Sequence, residues 1–298
     1  MKSQTPTLKS LFEADPLFYR CRHLFFSVPE SYYKAHPDVG LRRIASDSLF
    51  CDPQSVEFAL SFLRETSAEA MPYPSFPEYS LIHLKSENPK GAVLVLPGGG
   101  YEGLSFLNEG ILAAKAILSL GFDAYIATYG VGESAAFPTP VAQIAEAMGM
   151  IRKEQKKLFL LGFSAGGHLA GVSSLKWVCD RFSSSRPDGL ILAYPVVSFL
   201  LPTHEPSKAH FLALHRDAAK DFSLEENIDP EFPKTYLWRA FADPIVPTIG
   251  ADRLDENLTK FGISHLYRVY EGEGHGWGVD PSFPSGCWLN EALAFLGR

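Results

Sequence analysis

From Tyr79 onward, short apolar runs alternate with stretches whose apolar positions recur at helical spacing, and polar or glycine-bearing turns separate them. The runs Tyr79–Leu84, Ala92–Leu96, Phe122–Tyr129, Leu158–Gly162, Gly189–Tyr194, Thr235–Phe241 and His265–Tyr270 read as strands. Helices are predicted at Asn108–Leu120, at Thr139–Arg152, directly after Phe163, over residues 251–261, and at Trp288–Leu296. Ala92-Val93-Leu94-Val95-Leu96 shows no polar alternation, which is the pattern of a strand covered on both faces. Strands alternating with helices predict an α/β fold, a mostly parallel sheet with helices on both faces. Sheets of this kind hold ligands outside the carboxyl ends of their strands, so chemistry is sought there.

The first 78 residues have a different rhythm and are read as an N-terminal helical extension packed on or over a main domain of residues 79–298. Its clearest helix begins at Asp52, an N-cap with Pro53 in the first turn, and carries Val56, Ala59, Leu60 and Leu63 on one face. Arg20, Arg22, Arg42 and Arg43, interspersed with aromatics, read as a solvated or salt-bridged surface. Met71-Pro72-Tyr73-Pro74-Ser75-Phe76-Pro77 is a proline-stiffened connector that suits neither a helix nor a central strand.

Composition narrows the function classes. With 298 residues, 46% hydrophobic and 20% charged, the chain can bury a large core. A net charge of -7 without a Lys/Arg cluster argues against nucleic acid and anionic membranes as partners. There is no secretory leader pattern at Met1-Lys2-Ser3-Gln4-Thr5-Pro6 and no apolar run of bilayer length. Cys21, Cys51, Cys179 and Cys287 lack metal-ligand or redox-pair spacing and read as buried or partly buried free thiols, which suits a cytoplasmic location. No metal or cofactor is implied, and self-association is left open.

The chemistry centres on Gly162-Phe163-Ser164-Ala165-Gly166, which follows a strand and opens a helix. That context predicts a sharp turn presenting the Ser164 hydroxyl, with the helix N-terminus beneath it. A serine hydroxyl is a weak nucleophile and needs a base that a third group orients. Asp243, just past a strand and fixed by Pro244, and His275, in the glycine-rich loop Gly272–Gly278, complete the order Ser, Asp, His. Asp243 alone would read as a turn residue, and His275 as an exposed loop histidine. Asp252, Asp255 and Asp280 are rival acids, the first two on a predicted helix and the third beyond the histidine. His168 lies four residues past Ser164 and is expected to pack beneath the turn, while Glu273 is too local to reach the far ring nitrogen of His275. Gly98-Gly99-Gly100 follows a buried strand; Gly99 and Gly100, with Ala165, are read as backbone donors of an oxyanion hole. A phosphate cradle would need a Gly-Lys-Ser/Thr ending that is absent. Tyr101, Phe163 and Trp277 flank these segments and are read as an apolar or sugar-stacking wall for substrate.

Together Pro97–Tyr101, Gly162–Ala170, Ala193-Tyr194-Pro195, Asp243–Pro247 and Gly274-His275-Gly276 resemble the α/β-hydrolase fold, and within it the small esterases of the acetyl-xylan-esterase-like and hormone-sensitive-lipase-like group. The resemblance runs from Tyr79 to the C-terminus. It implies a serine hydrolase of short acyl esters, acetylated sugars among them, acting through an acyl-enzyme on a small-molecule ester. Three features depart from the group. Pro97 stands where many relatives have His, Gly130 where they have Arg after Tyr129, and Gln143 where they have Asp, so a structural ion pair is missing on both sides. Two other readings keep the fold: an aminopeptidase or acylpeptide hydrolase, and a catalytically silent binding protein. The first usually carries a large extra domain, for which 78 residues are too few. The second typically lacks one of the chemical groups assembled here.

Overall fold

A computed structural model describes residues 8–26 and 52–298. Arg42, Arg43, Cys51 and the first residues lie outside this range. The elements are helices α1 (Leu8–Ala14), α2 (Pro16–Phe25) and α3 (Pro53–Glu65), then strands β1 (Glu69–Pro72), β2 (Ser80–Leu84) and β3 (Ala92–Leu96). A π-helical turn (Phe106–Ile111) leads into α4 (Leu112–Ser119), followed by β4 (Asp123–Ala127), α5 (Thr139–Arg152), β5 (Leu158–Phe163) and α6 (Ser164–Val172). Next come α7 (Lys176–Phe182), β6 (Gly189–Ala193), α8 (Glu205–Phe211) and α9 (Leu224–Asn227). The chain closes with β7 (Thr235–Ala242), α10 (Ile249–Lys260), β8 (His265–Glu273) and α11 (Trp288–Gly297).

The eight strands form one sheet in the order β1-β2-β4-β3-β5-β6-β7-β8. β1 pairs antiparallel with β2 and β2 antiparallel with β4; every later pairing is parallel. Every residue of β3, β4, β5 and β6 is buried. Since alternate side chains point to opposite faces, the sheet is covered on both. The α/β architecture expected from the alternation is therefore present. Its antiparallel edge goes beyond that expectation: β1 lies upstream of Tyr79, inside the stretch assigned to the extension and its connector. Pro72 ends that strand at the sheet margin, where a residue without an N–H is tolerated.

The upstream helices pack on this margin. Asp15 caps α2 by accepting from the N–H groups of Leu17 and Phe18, and Asp52 caps α3 by accepting from Gln54 and Ser55 at 3.0 Å. Phe25 meets Phe106 edge-on at 5.1 Å, and His23 stacks on Tyr79 at 4.3 Å. Arg22 is buried with its guanidinium over the Tyr19 ring, so for this residue the solvated-surface expectation is corrected. Cys21 and Cys179 are buried, whereas Cys287 is exposed, a departure from the expected burial because it sits at the mouth of the last helix. Among the described residues no helix is long and apolar enough to cross a membrane.

At the far edge, β7 and β8 slip register: Ala240 pairs with Tyr270, but Ala242 pairs with Glu273. β8 thus contributes one residue more than β7 over this step, a bulge that includes Gly272 at φ +106°. A bulge bends its strand and re-aims the chain beyond it. Here the chain beyond it forms the Asp243 turn and the His275 loop.

Candidate active site

Ser164 sits where β5 turns sharply into α6, at φ +51°, a left-handed conformation that costs a non-glycine residue energy and that the surroundings must hold. The flanking glycines explain how. A Cβ on Gly162 would lie 2.3 Å from the carbonyl oxygen of Gly166, and one on Gly166 would lie 2.1 Å from that of Leu96 at the end of β3. The helix can therefore approach the strand ends closely only because both positions are bare. The Ser164 carbonyl accepts from Val196 N–H at 3.0 Å, which ties the turn to the segment after β6.

Asp243 follows β7 directly. One carboxylate oxygen accepts from the N–H groups of Ile245 and Val246, both at 2.9 Å, and the other lies 2.7 Å from His275 Nδ1. His275 Nε2 lies 2.8 Å from Ser164 Oγ. A carboxylate only accepts, so Nδ1 carries the proton and Nε2 of the neutral ring accepts from the serine hydroxyl. The Asp243 side chain is only 2% exposed and that of His275 13%, so the pair is shielded while the ring edge stays reachable. Tyr194, itself at φ +39°, packs edge-on against the imidazole at 4.8 Å between ring centres.

Gly98, Gly99 and Gly100 follow the end of β3, with Gly98 against the serine and Gly100 beside His204. A Cβ on Gly98 would fall 2.8 Å from Ser164 Cβ. The N–H groups of Gly99, Gly100 and Ala165 have no acceptor among the described residues. Such a line of hydroxyl, imidazole and carboxylate beside free amides can deprotonate a hydroxyl as it attacks an acyl carbon and can stabilise the oxyanion that forms. The rival acids are otherwise engaged: Asp252 with Arg239 and Tyr267, Asp255 with His265, and Asp280 with Ser282 N–H. Burial pushes His168 down to about 4; it bridges the Tyr101 hydroxyl and the Phe222 carbonyl beneath the turn. Among the described residues no group of three or more His, Cys, Asp or Glu side chains is placed to hold a metal.

The expected substrate wall is corrected. Tyr101 is fully buried, its hydroxyl on His168 and its ring against Phe211. Phe163 belongs to the last position of β5 and packs on Tyr194 and Trp288 inside the molecule. Trp277 is buried under its own loop, stacked on Phe283 and tilted against Trp238. Sequence neighbourhood to a site residue does not translate into facing the site, because each of these side chains fills core behind a tight turn.

Two further residues come to the site without a local sequence pattern to announce them. His204, just before α8, places its Cε1 3.2 Å from where a Cβ on Gly100 would be, and its Nδ1 is 2.8 Å from the buried Ser207 Oγ. Burial lowers its pKa, and the neighbouring His275 lowers it further. Glu109, in the π-helical turn, is fully buried and bonds to Gly98 and Tyr194. Its signal in the sequence is no more than an acidic residue in the first turn of a helix. The missing ion pair has a substitute: Gly130 N–H donates to Gln143 Oε1 at 2.7 Å. A Cβ on Gly130 would lie 2.2 Å from the Ser134 carbonyl oxygen, so this loop has no room for the Arg of the relatives.

Comparison with known proteins places these observations. A family model described as the alpha/beta hydrolase fold matches residues 93–243. The chain is 32% identical over 214 residues to the acetylxylan esterase of Xylanibacter ruminicola, covering 66% of this chain and 43% of that protein. It is 30% identical over 206 residues to endo-1,4-beta-xylanase B of Butyrivibrio fibrisolvens, covering 63% of this chain and 32% of that one. The chain thus spans less than half the length of these curated relatives. Among solved structures it resembles the acetyl ester-xyloside bifunctional hydrolase from Caldicellulosiruptor lactoaceticus, with a TM-score of 0.68 and 25% identity over 77% of this chain and 96% of that one. A sugar hydrolase from Lactococcus lactis, at 22% identity, TM-score 0.64 and coverage of 78% and 97%, shares the fold.

Proposed function

The chain belongs to the alpha/beta hydrolase fold family, and from that premise we propose that it hydrolyses carboxylic esters of short acyl groups, acetylated sugars first among them, through a serine nucleophile. Ser164 attacks the acyl carbon while His275 takes its proton, and Asp243 holds the imidazole in the required tautomer and offsets its positive charge. The oxyanion is met by the amides of Gly99, Gly100 and Ala165. Collapse releases the alcohol, protonated by His275, and leaves an acyl-enzyme; water activated by the same imidazole then frees the acid.

The observation that carries this reading is the unbroken line Asp243–His275–Ser164, at 2.7 and 2.8 Å, in a site where the amides of Gly99, Gly100 and Ala165 have no acceptor among the described residues. The short-acyl and sugar preference draws on the acetylxylan esterase and acetyl ester-xyloside hydrolase relatives. Purified protein is expected to turn over p-nitrophenyl acetate faster than the long-chain ester and to release acetate from acetylated xylo-oligosaccharides. A fluorophosphonate should label Ser164, located by peptide mapping. Faster hydrolysis of an aminoacyl-anilide than of any ester would make the protein a peptidase, and absence of both labelling and turnover would leave it a binding protein.

A further inference from the structure

Glu109 has no part in the reaction just described, yet it is fully buried and touches the machinery from behind. Its Oε2 accepts from Gly98 N–H at 2.7 Å, at the root of the oxyanion loop. Its Oε1 accepts from the Tyr194 hydroxyl at 2.8 Å, and that hydroxyl accepts from Gly278 N–H at 2.9 Å, three residues beyond His275. The carboxyl therefore joins two loops that are far apart in the chain and share no strand.

The hydrogen count favours the ionised form. Three donors, Gly98 N–H, Tyr194 O–H and Gly278 N–H, are matched one to one by three acceptors when both carboxylate oxygens are bare. A proton on Glu109 would add a fourth donor to these three acceptors, which is costly in a buried site. Burial has the largest effect and raises its pKa above the ordinary carboxylate value; the Tyr194 hydroxyl, a charge on His275 when that ring is protonated, and Gly98 N–H offset only part of this, so it is the three converging donors that favour the carboxylate. A buried anion kept in place by two donors and a neighbouring imidazole is an unusual thing to find in a core unless something needs it.

We propose that Glu109 is a positioning residue: as a carboxylate it locks the oxyanion loop to the histidine loop through Tyr194 and supplies a second negative charge behind His275. This inference rests on the ester-hydrolase reading above. The groups that face His275 are Asp243 from the end of β7, Ser164 from α6 and Tyr194 from the end of β6, with the charge of His204 also bearing on it. The groups that bear on Glu109 are Tyr194, Tyr129 and His275. Glu109 favours a charged imidazole in the same sense as Asp243, from a different direction.

The rate at which a fluorophosphonate labels Ser164, followed against pH, tests this without any knowledge of the natural substrate. In Glu109→Gln, which cannot accept from both donors, labelling is expected to slow at least about tenfold, with its acidic limb moved to lower pH by about half a unit because one anion is gone. Tyr194→Phe keeps the charge and cuts the tie to Gly278, so it should slow labelling with the limb unmoved. The double variant should be no slower than the slower single one, as expected for parts of one network. A purely structural glutamate would lower stability without moving the limb. Labelling of both single variants within twofold of the original, with the same limb, overturns the inference. Should Glu109→Gln not fold, Tyr194→Phe carries the test, and unchanged labelling together with unchanged amide exchange at Gly278 overturns it. Failure of the unmodified protein to label at all counts against the serine-hydrolase reading instead; amide exchange at Gly98 and Gly278 then still reads the tie, and protection unaltered in both variants overturns it.

Discussion

At the scale of single residues, the site depends on which oxygen faces which nitrogen. Asp243 uses one oxygen on the backbone of its own turn and keeps the other for His275, so the acid is oriented before any substrate arrives. Ser164→Ala and His275→Ala are each expected to lower p-nitrophenyl acetate turnover by on the order of 10⁴-fold. Asp252→Ala, which disturbs only Arg239 and Tyr267, should leave turnover within about threefold while lowering the melting temperature. Ser164, Asp243 and His275 are legible in the sequence because their chain order and local turns are themselves chemical statements, and the fold brings these three together. Glu109 and His204 are not, because their roles arise from contacts across the fold that no local pattern announces. Tyr101, Phe163 and Trp277 show the complementary error: a large aromatic beside a tight turn has two sides to choose from, and all three point inward.

Elements set the distances that residues then use. Helix α6 can lie against the ends of β3 and β5 only while Gly162 and Gly166 lack side chains. Gly166→Ala, whose new carbon would meet the Leu96 carbonyl oxygen at 2.1 Å, is expected to abolish activity and to lower soluble yield, measured by labelling and by circular dichroism. Gly149 gives the contrast, being exposed in α5 with nothing within 4 Å of an added Cβ. Gly149→Ala should raise stability by about 0.5–1 kcal/mol in a denaturant titration, with activity unchanged. Strands β3, β5 and β6 are readable from apolar runs, β2, β4, β7 and β8 from apolar-rich stretches between turn signals, and α3 from its cap. β1 is hidden because four residues ending in a proline carry too little alternation to separate an edge strand from a connector.

For the whole molecule, stability and activity answer to different parts. Burial pushes His168 down to about 4 and His23 down to about 3, from an ordinary value of 6.5. Both are neutral when folded and take up protons on unfolding below pH 6.5, so the unfolded chain binds more protons there and stability falls as the pH drops towards 4. His168 alone should cost about 2 kcal/mol at pH 5, seen as a lower melting temperature than at pH 7, and His168→Gln should flatten that dependence. The bulged pairing of β7 with β8 adds another consequence. β8 is the outermost strand, only partly covered, and it leads into the loop of His275, whereas Ser164 follows a strand with neighbours on either side. Peeling that one margin away would disarm the protein while its interior stayed intact. On gentle warming, therefore, hydrolysis should fade some degrees before the far-ultraviolet signal does, and rapid cooling should restore it in full.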